Sequence, residues 1–214
     1  MEGKLYFEYG KRETEWLSER DEKLAGVIAE VGHIKREVNP ELFESLVMNI
    51  VGQQISGKAQ ASVCARLWER FSPLTPESLA TAAAEDIKMC GTSMRKAEYI
   101  KGAAEAVVSG DLDLKRISTL SDNEVRAQLS KLRGIGEWTA EMLMIFSMRR
   151  PDVLSRGDLG IIRGMRIIYG RTVISKEIFE SYRQLYSPFA TTASLYLWSV
   201  SAGACPWLTD TAAK

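Results

Sequence analysis

Gly134 and Gly136 flank a single apolar residue, Ile135, between two stretches patterned as helices, and this restricts the middle of the chain to a helix, a tight hairpin and a second helix. Upstream, Ser121-Asp122-Asn123-Glu124 has the Ser-x-x-Glu form of a capping box and opens a helix carrying Val125 and Leu129. Downstream, Glu137 to about Ser147 is apolar nearly all round, which predicts a buried helix. With no side chain over the turn, backbone N–H groups at the start of that second helix are open to an anion. Taken alone, two such glycines equally fit a plain connection between helices.

No region repeats the period-2 pattern of a sheet, so the fold class is all-α. Helical spacing marks one face over Thr14–Val31, then a helix introduced by Asn39-Pro40 and carrying Phe43, Leu46, Val47 and Ile50. Further helices are expected over about Lys58–Phe71, from Thr75-Pro76, from Gly91 to about Ser109, and over about Lys176–Tyr186 and Pro188–Ser201, with Asp111–Leu120 a connector. Leu5, Phe7 and Tyr9 alternate as a short strand or as an extended arm. His33, the only histidine, reads as a structural loop residue.

Lys+Arg and Asp+Glu number 28 each, so a nucleic-acid partner needs a local basic patch, and the candidate is the arginine-rich run from Met148 to Arg171. Cys64, Cys90 and Cys205 are far apart, without metal-ligand spacing, and suit a reducing compartment. The N-terminus, with Glu2, Lys4, Glu8 and Lys11, has no signal-peptide core and no apolar run approaches membrane length, so an intracellular protein is expected. Asp158, before the apolar helix Leu159, Ile161, Ile162, Met165, Ile168, is ordinarily an N-cap.

The segment Leu132-Arg133-Gly134-Ile135-Gly136-Glu137-Trp138-Thr139-Ala140, followed by Asp158 twenty residues after Trp138, resembles the helix-hairpin-helix (HhH-GPD) DNA glycosylases, and among them the 3-methyladenine DNA glycosylase II group. The resemblance covers most of residues 43–200. It implies a two-lobed helical fold, with a middle lobe of about 43–147 containing the hairpin (131–137) and a second lobe from about 1–42 and 148–214. A groove between them would hold the extruded base.

The resemblance also implies the chemistry. Asp158 is the catalytic carboxylate, stabilising an oxocarbenium-like sugar and activating water. Trp138, Trp198 and Gln54 belong to the base pocket, where aromatic faces hold a cationic ring. Met94, in Gly91-Thr92-Ser93-Met94-Arg95-Lys96, is the side chain that enters the DNA stack. Gly134, Gly136 and Arg133 bind phosphate. The backbone carbonyls of Ser130, Leu132 and Ile135 hold a monovalent cation, Na+ or K+. Each residue also has a plain reading: tryptophans as core, Met94 as a first-turn residue, Gln53 and Gln54 as a solvated helix end.

Relatives of this fold that nick the strand carry a lysine two residues after the second glycine, where this chain has Trp138. That implies a monofunctional hydrolase of alkylated purines in base excision repair, acting on double-stranded DNA with damaged bases. No catalytic cofactor is expected, three cysteines cannot supply the four-cysteine iron–sulfur cluster of one branch, and a monomer in the cytoplasm, or in a eukaryotic nucleus, follows. The loop Leu154-Ser155-Arg156-Gly157 departs from the family's proline-containing form, and Met142 and Leu159 stand where one branch has pocket tyrosines. The remaining alternatives are a glycosylase for deaminated or oxidised bases and a non-catalytic helix-hairpin-helix DNA-binding module.

Overall fold

In a computed structural model, residues 4–210 are described; the first three and last four positions, which the lobe boundaries above included, lie outside them. The chain divides into two compact units, one of residues 1–38 with 149–214 and the other of residues 39–148. The protein is mostly helical, with a two-stranded sheet of two residues per strand. No helix among the described residues is long and apolar enough to cross a membrane.

The first unit begins with β1 (Leu5–Tyr6), α1 (Lys11–Arg20), α2 (Glu22–Val31) and β2 (Glu37–Val38). β1 pairs antiparallel with β2, Leu5 opposite Val38, so the alternating segment is a strand at its start. The single helix expected over Thr14–Val31 is two. Asp21 adopts extended backbone between them and its carboxylate accepts the N–H of Leu24 at 3.0 Å, capping α2. That carboxylate also accepts the Tyr169 phenol, and burial pushes the Tyr169 and Tyr186 hydroxyls far up from the usual phenol range, keeping them neutral donors. His33 stacks on Tyr9 with ring centroids 4.5 Å apart.

The second unit runs through α3 (Leu42–Gly52), α4 (Gly57–Arg70), α5 (Pro76–Thr81), α6 (Ala84–Lys88), α7 (Met94–Val108), α8 (Leu114–Ile117), α9 (Asp122–Leu129) and α10 (Glu137–Phe146). Its interior holds Leu46, Ile50, Leu67, Leu79, Ile87, Ile100, Leu129 and Leu143, each fully buried. Thr75 and Ser121 cap α5 and α9 as boxes. Asn39 does not cap α3: its side-chain oxygen accepts the N–H of Glu41, and the helix starts after Glu41. The connector after Gly110 contains a short helix, because Asp113 Oδ1 accepts the N–H groups of Lys115 and Arg116. Thr139 to Ile145 are all buried, as the apolar circumference of α10 requires.

The chain then returns to the first unit with α11 (Leu159–Tyr169), α12 (Lys176–Tyr186) and α13 (Ala190–Ser201). Ile161, Met165, Phe179, Tyr186 and Leu197 join Leu17 and Leu24 in one core. α11 and α13 approach backbone to backbone at Gly164, where a Cβ would lie 2.2 Å from the Leu197 carbonyl oxygen. Gly164→Ala is therefore expected to destabilise the protein by about 1–3 kcal/mol, the usual cost of overpacking. A lowered urea midpoint at unchanged slope would show it.

Candidate active site

In the second unit the hairpin is built by short-range bonds. Leu132 N–H donates to Leu129 O, and Ile135 N–H donates to Leu132 O. Gly134 has φ +85°, and a Cβ there would fall 2.1 Å from the Tyr99 ring, so both conformation and space demand glycine. Gln53 Nε2 donates to Gly134 O at 2.8 Å, which turns that carbonyl inward. Ile135 is buried, whereas Gly136, the N-cap of α10, is exposed and caps without a side chain. Among the described residues the N–H groups of Gly134 and Gly136 have no hydrogen-bond acceptor. Arg133 is exposed, its guanidinium 5.9 Å from the Tyr99 centroid.

Of the three carbonyls assigned to a cation, that of Leu132 spends one lone pair on Ile135 N–H, and those of Ser130 and Ile135 accept nothing among the described residues. This donor set fits a monovalent cation, which asks only for carbonyl oxygens.

The Gly52-Gln53-Gln54 segment and the start of α7 belong to the same unit. Gln54 is exposed in the left-handed region at φ +58°, a conformation rare outside glycine and asparagine. Met94 is the first residue of α7 and half-buried; Ser93 caps the helix by accepting Lys96 N–H. In the loop before it Arg66 Nε donates to Cys90 O at 2.7 Å, while Met89, which the sequence did not single out, is 71% exposed. Trp138 is 41% exposed and Met142 is buried in α10.

In the first unit Asp158 caps α11. Its Oδ1 accepts the Ile161 N–H at 3.0 Å and the Trp198 Nε1–H at 2.9 Å, and the residue is 8% exposed. The cap geometry is thus an N-cap whose Oδ1 receives both donors. Trp198 packs half-buried on the core with its indole N–H committed to Asp158, a bond its pocket assignment did not anticipate. Gly160 makes this possible, because a Cβ there would sit 2.9 Å from the indole Cδ1 and 3.1 Å from Asp158 Oδ1. Leu159, beside the carboxylate in sequence, is 85% exposed.

The loop leading to Asp158 is fastened to α13 by buried hydroxyls that sequence reasoning missed. Thr191 Oγ1 donates to Arg150 O and accepts Val153 N–H, Thr191 N–H donates to Pro151 O, and Ser194 Oγ donates to Val153 O at 3.1 Å. Asp152 accepts from the Ser187 hydroxyl and the Ala190 N–H. The available signal was the run Thr191-Thr192-Ala193-Ser194 inside an otherwise apolar helix. The arginine-rich run is less open than its composition implied, since Arg163 and Arg166 both pair with Asp210, at 3.4 and 2.8 Å.

A family described as HhH-GPD superfamily base excision DNA repair protein matches residues 47–188. The DNA-3-methyladenine glycosylase 1 of Schizosaccharomyces pombe is 32% identical over 197 residues, 86% of this chain and 85% of that protein. Among solved structures, a DNA-3-methyladenine glycosidase from Bacillus halodurans superposes with TM-score 0.83 at 35% identity, covering 93% of each chain. The S. pombe 3-methyladenine DNA glycosylase Mag1, solved in complex with abasic DNA, gives TM-score 0.76 at 30% identity over 90% of this chain and 97% of that one.

Asn serves as an N-cap about as well as Asp, whereas Ala costs about 0.5–2 kcal/mol. Asp158→Asn should therefore unfold close to wild type and Asp158→Ala measurably earlier, which paired denaturation curves will check.

Proposed function

The chain belongs to the HhH-GPD superfamily of base excision DNA repair proteins, and from that premise we propose that it is a monofunctional DNA glycosylase releasing alkylated purines, of the 3-methyladenine and 7-methylguanine type, from duplex DNA. The observation that carries the reading is Asp158, a carboxylate held at a helix N-terminus by a backbone N–H and an indole N–H. The names of its relatives support the substrate class.

The reaction follows from charge. A purine alkylated at N3 or N7 is cationic, so when its bond to C1′ breaks it takes the electron pair and leaves neutral. Positive charge passes to the sugar as an oxocarbenium-like ion. The Asp158 carboxylate, at the N-terminus of α11, opposes that charge and accepts a proton from the water that adds to C1′. The products are a free base, an abasic site and an intact strand.

The base must leave the stack before any of this. Met94 fills the gap, and Trp138, with Gln54, lines the pocket for the extruded ring; the exposed indole offers a face worth roughly 0.5–2 kcal/mol to a cation. Trp198 orients Asp158. The hairpin N–H groups at Gly134 and Gly136, with Arg133, bind phosphate without reading sequence. The carbonyls of Ser130, Leu132 and Ile135 would hold the monovalent cation, whose charge offsets that of the phosphate.

Trp138 occupies the position from which a lysine would attack C1′, so no Schiff base forms. The test is methylated duplex DNA, scored for free methylpurines and for strand cleavage. Wild type should release base without nicking and leave no borohydride-trapped covalent complex, and Asp158→Asn should lose at least about 10²-fold in rate. Equal rates for the two proteins, or release only from deaminated or oxidised duplexes, would sink the assignment. Duplex affinity should fall steeply with added salt, as phosphate contacts require.

A further inference from the structure

We propose that Lys96 and Gln53 are positioning residues that join the helix carrying Met94 to the phosphate-binding hairpin, so that wedge and hairpin meet DNA as one rigid piece. The inference rests on the DNA-binding part of the reading above and not on its chemistry.

Lys96 is an odd choice for its place. It lies in the first turn of α7, where the helix dipole disfavours a cation, and burial together with the neighbouring Arg95 lowers its pKa from the ordinary lysine value. Among the described residues its ammonium bonds to backbone carbonyls and not to a carboxylate. What it does have is the end of another helix: its ammonium donates to Val51 O at 2.8 Å and to Gln53 O at 2.6 Å. Val51 O is one of the carbonyls that α3 leaves without an intrahelical partner and Gln53 O belongs to its C-cap, and a cation is favourable there.

Gln53 extends the connection. Its backbone carbonyl faces Lys96, and its side-chain amide donates to Gly134 O at 2.8 Å, 81 positions further along the chain. Three segments distant in sequence, the start of α7, the end of α3 and the hairpin turn, are thereby linked by three hydrogen bonds. The α3 end is itself pinned, since Gln60 Nε2 donates to Met48 O and lies where a side chain on Gly52 would collide, at 2.7 Å. Lys96 stands two positions after Met94, and the carbonyl that Gln53 holds belongs to the glycine whose N–H is offered to phosphate. A shift of either contact element is passed to the other.

Had Lys96 only a capping role, its loss would lower stability and leave recognition of a lesion unchanged once the protein is folded. The distinguishing experiment uses a short duplex with a tetrahydrofuran abasic analogue beside 2-aminopurine, whose fluorescence rises when the stack is opened. Met94→Ala, Lys96→Met, Gln53→Met, Lys96→Arg and the Met94→Ala/Lys96→Met double variant are compared, each first verified as folded by circular dichroism.

Lys96→Met and Gln53→Met should each reduce the fluorescence gain and the preference for the abasic over the intact duplex about tenfold, as Met94→Ala does, and the double variant should fall no further. Lys96→Arg should restore most of both. Multiplying effects in the double variant, or wild-type fluorescence in Lys96→Met, would overturn the inference. Should Lys96→Met not fold, Gln53→Met decides by the same criteria. Because the readout needs no base release, an inactive but wedge-inserting wild type would remove the catalytic assignment and leave this inference intact.

Discussion

The carboxyl side chain of Asp158 at the start of α11 is the point on which the proposed chemistry turns. A carboxylate taken nearly out of water is costly unless its lone pairs are satisfied. Here Oδ1 is met by the Ile161 N–H and the Trp198 indole, and the helix dipole adds to both. The bonds that make the charge tolerable also orient it. An N-cap and the proposed catalytic carboxylate are therefore not in opposition, because a single geometry suits both roles. The glycine at 160 is part of the arrangement, since an indole can reach across the first turn only where no Cβ stands in the way.

Elements whose cause is local were legible from sequence. The Ser121 and Thr75 boxes are bonds between residues three apart, and the buried circumference of α10 is a property of its own ten residues. Asp158 was readable as a cap for the same reason. The break at Asp21 was not, because its apolar neighbours keep one helical register across it and its second partner, Tyr169, is 148 positions away. Asn39 was misplaced as a cap since its side chain is taken by a turn to Glu41.

The functional candidates divide along the same line. Gly134 could be chosen from its pattern, but the reason it must be glycine, the Tyr99 ring, appears only in three dimensions. Trp198 could be noted as an aromatic in the last helix; its bond to the carboxylate could not. Gln53 looked like the less telling member of its pair, although it makes the bond to the hairpin, while Gln54 carries the unusual backbone. The arginine run showed its charge but not Asp210, which offsets part of it. Composition counts charges, and only folding says which of them are already paired.

Thr191 and Ser194 hold their loop chiefly through its main chain, gripping the peptide groups of Arg150, Pro151 and Val153. An anchor of that kind is blind to what side chains the gripped segment carries. Between the clamp and the acid, Leu154 and Ser155 are buried, so free variation is confined to the exposed Arg156 and Gly157, where a departure from a proline-bearing sequence leaves the attachment intact. Tolerance of this sort would let a lineage retune what surrounds its reaction centre while the centre stays where it was.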